Sequence, residues 1–254
     1  MKLASWNVNS LKIRLPQLLE WLAASQPDVV CLQETKLEDH NFPREEIEAA
    51  GYEAAFFGQK TYNGVALLSR HGLNAITLGN PHFEDEQKRL IAATVGTSRV
   101  ICAYMPNGQS VGSDKYHYKL NWLQALTDWL QDEMVTHPQL VLAGDFNIAP
   151  EDRDSYDPVG LAETIHHTTE EREHFKALLG LGLTDAFRLF EQPEKSYSWW
   201  DYRMLGFQKN RGLRIDHILV SQALRAGVTA CHVDRAPRKN PQPSDHAPVV
   251  ATLG

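Results

Sequence analysis

Short apolar runs that stop abruptly at acids and amides constrain the fold of this chain more than any other feature. The sharpest is Val141-Leu142-Ala143-Gly144-Asp145-Phe146-Asn147-Ile148-Ala149-Pro150. Val141 to Gly144 reads as the end of a strand buried on both faces, and Pro150 stops any regular continuation. Residues i and i+2 of an extended segment share a side, so Asp145 and Asn147 would project together from the mouth of a sheet. One can act as a base and the other as a neutral donor. Asp and Asn are also ordinary turn residues, so this stretch alone reads equally well as a βα turn.

The pattern recurs. Residues 2–8 alternate and end at Asn7, Asn9 and Ser10, and the apolar run 28–33 is closed by Glu34-Thr35-Lys36. Residues 99–104 end at Tyr104. Asp216 interrupts the apolar run 214–220, and Ser244-Asp245-His246-Ala247-Pro248 precedes a final strand over Val249–Leu253. Further strands are expected at 52–57, Val65–Ser69, 73–78, Leu90–Val95, 183–187 and Val228–Val233. Leu15, Leu18, Leu19 and Leu22 follow helical spacing ahead of Pro27. Helices are also expected at 43–50, with Gly51 just past the end, at 114–134 and at 170–179. Residues 151–168 show no period and read as a surface insertion over the strand ends. No repeat or linker divides 1–254, so one α/β domain with helices covering two packed sheets is expected.

Composition narrows the classes only mildly. A net charge of −7 argues little against a nucleic-acid partner, because charge distribution and a bound cation outweigh the sum. Cys31, Cys102 and Cys231 lack metal or CxxC spacing, and Cys31 and Cys102, within apolar runs, are expected as buried free thiols. With no apolar leader-like segment and no membrane-length run, a reducing cytoplasm and no membrane partner are expected.

Each strand-end group has a local explanation. Glu34 reads as a helix-start carboxylate, Tyr104 as a core ring, Ser244-Asp245 as a turn and His246 as a satisfied histidine. Their coincidence points further, because Asp216 in an apolar strand needs a partner or a metal. Acids and amides with one histidine and no thiolate suit a hard, oxygen-loving cation. Phosphodiester hydrolysis needs such a cation, a base for water, donors for developing charge and leaving-group stabilisation, and this set supplies all of them. No Walker loop, GxSxG or dinucleotide fingerprint supports a rival class.

Trp6-Asn7-Val8-Asn9-Ser10-Leu11, Leu32-Gln33-Glu34-Thr35-Lys36, Gly58-Gln59-Lys60 and Gly64-Val65-Ala66-Leu67-Leu68-Ser69 stand in the first part of the chain. Gly144-Asp145-Phe146-Asn147, Asp201-Tyr202-Arg203, Arg211-Gly212-Leu213-Arg214-Ile215-Asp216 and Ser244-Asp245-His246-Ala247-Pro248 follow. In this order they resemble the exonuclease III family. That is the bacterial AP endonuclease/3′-exonuclease branch of the endonuclease/exonuclease/phosphatase superfamily. The resemblance implies a DNase I-like, four-layer α/β sandwich of two packed mixed or antiparallel sheets flanked by helices. It implies Glu34 as the main metal ligand with Asn9 and Asp245 near it, and Asp216 as the acid orienting His246. Asn7, Asn147 and Tyr104 would hold the scissile phosphate. Asp145 and His246 both stay open as the proton acceptor. The reading carried forward makes Asp145 the base and His246 a partly cationic, phosphate-facing group. Mg2+ is the implied ion, and Mn2+ satisfies the same ligands.

The implied partner is double-stranded DNA with abasic sites, nicks or blocked 3′ ends, and a monomer is the default. Lys60, Arg203, Lys209, Arg211 and Arg214 would meet phosphates, together with Asn107 on the loop after Tyr104. The plain alternative pairs Arg214 with Asp216 or another acid. Trp199, with Leu213 and Ile215, resembles the wall of the family's pocket for a flipped, baseless sugar; a core tryptophan is the alternative. The departure from the family is 151–168 with its His166-His167 pair. A ring over the pocket would block an internal abasic sugar yet admit a 3′-phosphate terminus, whereas an exposed loop pair would do nothing. The function implied is a Mg-dependent repair nuclease with AP endonuclease, 3′-phosphatase or phosphodiesterase and 3′→5′ exonuclease activities. One alternative is mainly a 3′-phosphatase and 3′-exonuclease with weak or no AP endonuclease activity, through gating by the His166/His167 loop. A non-catalytic RNA- or protein-binding regulator of the same fold is the remote one.

Overall fold

The computed structural model describes residues 1–254. Strand β1 (Lys2–Asn7) leads through helix α1 (Leu11–Ser25) to β2 (Val29–Gln33), then through α2 (Arg44–Ala49) to β3 (Glu53–Phe57) and β4 (Val65–Ser69). Strands β5 (Asn74–Leu78), β6 (Leu90–Val95) and β7 (Ser98–Tyr104) follow. Helix α3 (Asp114–Thr136), β8 (Leu140–Asp145), α4 (Thr169–Gly180) and β9 (Leu183–Asp185) complete the middle of the chain. The ribbon β10 (Trp199–Trp200) and β11 (Gly212–Leu213) precedes β12 (Asp216–Ser221), the short α5 (Gln222–Arg225), β13 (Val228–Val233) and β14 (Val249–Leu253).

Two six-stranded sheets result, ordered β13-β14-β1-β2-β4-β3 and β5-β6-β7-β8-β12-β9. Only β1/β2 and β7/β8 pair in parallel, each bridged by a helix, as crossover connections require. Period-two alternation explains the layering. Leu3, Val29, Cys31, Val141 and Ala143 face the gap between the sheets. The intervening Ala4, Trp6, Val30 and Leu32 meet Leu11, Leu18 and Leu22 of α1 and Ile47 of α2. Leu140 and Leu142 meet Trp122, Leu126 and Trp129 of α3 and Phe175 of α4. Strands covered on both faces read as unbroken apolar runs for this reason. The expected four-layer α/β/β/α sandwich is the observed architecture.

Register brings the strand-end groups to one edge. Tyr104, Asp145 and Asp216 lie abreast on β7, β8 and β12, and Asn7 lies beside Gln33, next to Glu34. Gly144 is needed where β7 passes β8, because a Cβ there would stand 1.8 Å from the Ala103 carbonyl oxygen.

Three sequence expectations are corrected. The extended segment expected over 183–187 stops at Asp185, whose carboxylate accepts from Phe187 N at 3.1 Å and starts a 3-10 turn. The strand expected from Arg214 begins at Asp216, because Ser198 Oγ takes the backbone N–H groups of Ile215 and Asp216. Residues 151–168 are not simply a surface insertion: Asp154, Ser155, His167 and Thr168 are buried. Asp154 anchors the segment by pairing with Arg214 Nε at 2.7 Å and with Arg188.

Candidate active site

The two sheets meet chemically at Asn7. Its Nδ2 donates to Glu34 Oε1 at 2.9 Å and to Asp145 Oδ2 at 3.0 Å, which spends both amide hydrogens. Its Oδ1 accepts from Asn9 N at 3.0 Å. Asp145 Oδ1 accepts from Asn147 N at 2.9 Å. His246 places Nδ1 2.9 Å from Asp216 Oδ2 and Nε2 3.6 Å from Asp145 Oδ2. Ser244 fixes this turn: its hydroxyl donates to Asn7 O at 2.6 Å and accepts from His246 N at 3.2 Å.

Positive-φ residues occur along the whole chain, and six of them bear on this site. Asn9, Ser10, Glu34, Lys36, Asn147 and His166 all have positive φ, a conformation that costs on the order of 1–3 kcal/mol for a non-glycine residue and clusters at functional sites.

The electrostatics follow from burial and neighbours. Burial raises the Asp145 carboxyl above its usual range, and Asp216 and Glu34 push the same way. Burial opposes charge on His246, but Asp216 and Asp145 overcome it and lift the imidazole to about 10, so the ring is a cation at neutral pH. Glu34 is held below its ordinary value despite burial, by Lys36 and the Asn7 amide. Burial and the Glu34 and Asp145 charges push the Tyr104 phenol well up, so it stays a protonated donor.

Glu34, Asp145 and His246 offer ligand atoms within 4.8 Å of one another. With the imidazole held protonated, the remaining donors are oxygens, which fits a hard divalent cation. Asn9 and Asp245 stand beside this group in a second arrangement. Asn9 Nδ2 donates to Asp245 Oδ1 at 2.9 Å, Trp199 Nε1 donates to Asp245 Oδ2 at 2.9 Å, and Lys36 Nζ donates to Asn9 Oδ1 at 2.6 Å while lying 2.8 Å from Glu34 Oε2.

The remaining sequence candidates divide. Asn147 turns its amide sideways, donating to Met105 O at 2.9 Å and accepting from Asn107 Nδ2 at 3.2 Å, so Asn107 joins the site directly. Trp199 and Leu161 pack on Ala149, Leu213 and Ile215, and Trp199 and Leu213 line an open cleft of about 830 Å³ with His166. Lys60, Arg203, Lys209 and Arg211 are exposed, with Arg203 paired to Asp201 at 2.7 Å. Arg214 is corrected as a phosphate contact, since it is 1% exposed and bound to Asp154 and to Asp185 at 2.8 Å. The histidine pair also divides. His166 Nδ1 sits 2.7 Å from Asn147 O and Nε2 lies 3.5 Å from Asn107 Nδ2, whereas His167 is buried with Nε2 3.0 Å from Ser155 Oγ. Lys36 and Ser198 had no site role in the sequence reading, whereas Ser244 was read as a turn residue, which it is. Lys36 alone had a signal, a cation two residues after the strand-end acid.

The endonuclease/exonuclease/phosphatase family model matches residues 4–246. The chain is 38% identical to exodeoxyribonuclease III of Haemophilus influenzae, over 99% of each chain. Among solved structures it resembles a Neisseria 3′ phosphatase bound to a product DNA hairpin, with a TM-score of 0.98 and 47% identity over 100% of this chain and 99% of that one. It also resembles an AP endonuclease from Archaeoglobus fulgidus, with a TM-score of 0.96 and 36% identity over 100% and 99%. The fold, the shared edge of strand ends and these similarities agree: this chain belongs to the endonuclease/exonuclease/phosphatase family.

Proposed function

We propose that this DNA repair nuclease is a magnesium-dependent monomer whose principal work is at 3′ ends of duplex DNA, removing 3′-phosphates and other blocks and acting as a 3′→5′ exonuclease. The observation that carries this reading is His166, whose ring hydrogen-bonds to the Asn147 carbonyl and lines the Trp199–Leu213 cleft. A ring there narrows the space for an internal sugar flanked by DNA on both sides, while a chain terminus needs no such room. The similarity to a Neisseria 3′ phosphatase supports it. Cleavage at internal abasic sites is the second reading, supported by the apolar wall of Trp199 and Leu213, which suits a baseless sugar.

The residues divide the chemistry as follows. Glu34 would hold the divalent ion with Asn9 and Asp245 beside it, and the ion would supply positive charge against the phosphate oxygens. Asp145, kept basic by burial and neighbouring acids, takes the proton from the attacking water. His246, cationic and oriented by Asp216, faces the phosphate and stabilises its developing charge. Tyr104 and the amides of Asn107 and Asn147 add neutral donors, while Asn7, its amide hydrogens spent on Glu34 and Asp145, holds those two carboxylates in place. Exposed Lys60, Arg203, Lys209 and Arg211 meet backbone phosphates of the duplex.

The test uses two labelled duplexes in magnesium, one with a 3′-phosphate at a nick and one with an internal abasic analogue, and Glu34→Ala as control. Faster action on the 3′-phosphate, lost in the control, is expected. Equal action on both would favour the second reading. Binding without cleavage of either would overturn catalysis.

A further inference from the structure

Lys119 is the one lysine of α3 that is completely buried, and its ammonium is saturated by three acceptors. It donates to Asn147 O at 2.7 Å, to Asn107 O at 3.2 Å and to the Glu171 carboxylate. Gly108 lets the lysine stem pass, since a Cβ there would come within 3.1 Å of Lys119 Cδ. Glu171, also fully buried, spends its other lone pairs on the 166–168 turn. It accepts from His166 N at 3.1 Å, from Thr168 N at 3.1 Å and from Thr168 Oγ1 at 2.9 Å. The Asn147 carbonyl closes the loop by accepting from His166 Nδ1 as well.

A buried ion pair roughly breaks even against an apolar replacement in stability, so its distinctive contribution is fixed geometry. Here the geometry fixed is that of three separate segments: the loop bearing Asn107, the turn bearing Asn147 at φ +53°, and the turn bearing His166 at φ +72°. We propose that Lys119 is a positioning residue that, through Glu171, locks the two asparagine amides and the His166 ring into one rigid unit. End selectivity then depends on a lysine that touches no substrate. This rests on the reading of His166 given above for selectivity, but not for turnover.

The test is Lys119→Met with Glu171→Gln, which removes both charges and leaves the amide oxygen to accept from Thr168. Hydrogen exchange is followed alongside kinetics on the 3′-phosphate and abasic duplexes. Expected is loss of protection in 145–149 and 161–168 together, with α1 and β1 unchanged. Turnover on the 3′-phosphate duplex should fall about 100-fold, as for a misplacement near 1 Å, with KM moved far less. The preference for the 3′-phosphate should fall about tenfold, and adding His166→Gly should lower it no further, the mark of groups acting as a unit. Unchanged turnover with unchanged protection in both segments would overturn the proposal. A uniform loss of protection across the chain would reduce Lys119 to a structural role and overturn it too. If His166→Gly alone leaves the preference unchanged, the gate reading fails, and turnover with local protection still decides for or against Lys119.

Discussion

His246 Nε2 faces Asp145 Oδ2 across 3.6 Å, buried and without an intervening side chain. The opposite ring nitrogen is committed to Asp216, so a cation stands against the carboxylate assigned as base. Asp145→Asn is expected to cost between about 10² and 10⁴ in turnover. His246→Asn, which keeps a donor but loses the charge, should cost less. Single-turnover rates on the 3′-phosphate duplex measure both. Near-normal turnover in Asp145→Asn with none in His246→Asn would exchange the two roles.

Arg214 and Arg211 are three residues apart yet should behave as different kinds of residue. Arg214 is enclosed by Asp154 and Asp185, and breaking a buried pair from one side costs about 3–5 kcal/mol. Arg214→Met should therefore lower the urea midpoint strongly. Arg211→Ala and Lys209→Ala, on an exposed rim, should leave stability within about 0.5 kcal/mol. Each should reduce the salt slope of DNA binding by about one. An Arg214 variant with normal stability but a reduced salt slope would reverse this division.

The contribution of His217 to stability should fall on mild acidification. Burial and the Arg214 charge push the His217 imidazole well down, so the folded protein keeps it neutral. The unfolded chain protonates the same ring near pH ~6.5. Below that pH the unfolded state binds the extra proton, so the contribution is complete above about 6.5 and is lost at up to about 1.4 kcal/mol per pH unit. His166 and His167 are pushed down as well, by burial first, and add in the same direction. His246 and Asp145 are pushed up and work the other way over the same range, so the loss is read as the difference in pH slope between the intact protein and His217→Asn, denatured at about pH 7.5 and about pH 5.5. An equal slope in that variant would exclude His217 as its source.

Chelation should stop hydrolysis while the fold persists, because the Asn7, Ser244 and Asp216 hydrogen bonds that build the site involve protein groups alone. Added Mg2+ should restore activity, and Mn2+ should substitute. Glu34→Gln should raise the metal concentration needed about tenfold or more, in line with lost ligand basicity. Full activity in chelator would contradict the metal assignment.

The sequence made the sheets legible because burial on both faces leaves unbroken apolar runs, and the site legible because acids and amides end them. Asp216 carried the clearest signal, since a carboxylate inside an apolar strand requires a partner, and His246 is that partner. Contacts distant in sequence were not legible. Arg214 looked like a phosphate contact because its acid, Asp154, lies sixty residues upstream in a segment without periodicity. Lys119 occupied a helix position like any solvated lysine, and its acceptors come from three other segments. Nor could adjacent histidines be told apart. The positive φ of His166 turns its ring to Asn147, while His167 turns inward to Ser155.

The most direct measurement is the ratio of 3′-phosphate release at a nick to cleavage at an internal abasic analogue, in the intact protein and in His166→Gly. The proposed function predicts a ratio well above one that falls about tenfold or more in the variant, chiefly through gained abasic cleavage, as expected when a steric block worth a kcal/mol or two is removed. A ratio near one in the intact protein, unchanged by the substitution, would contradict it.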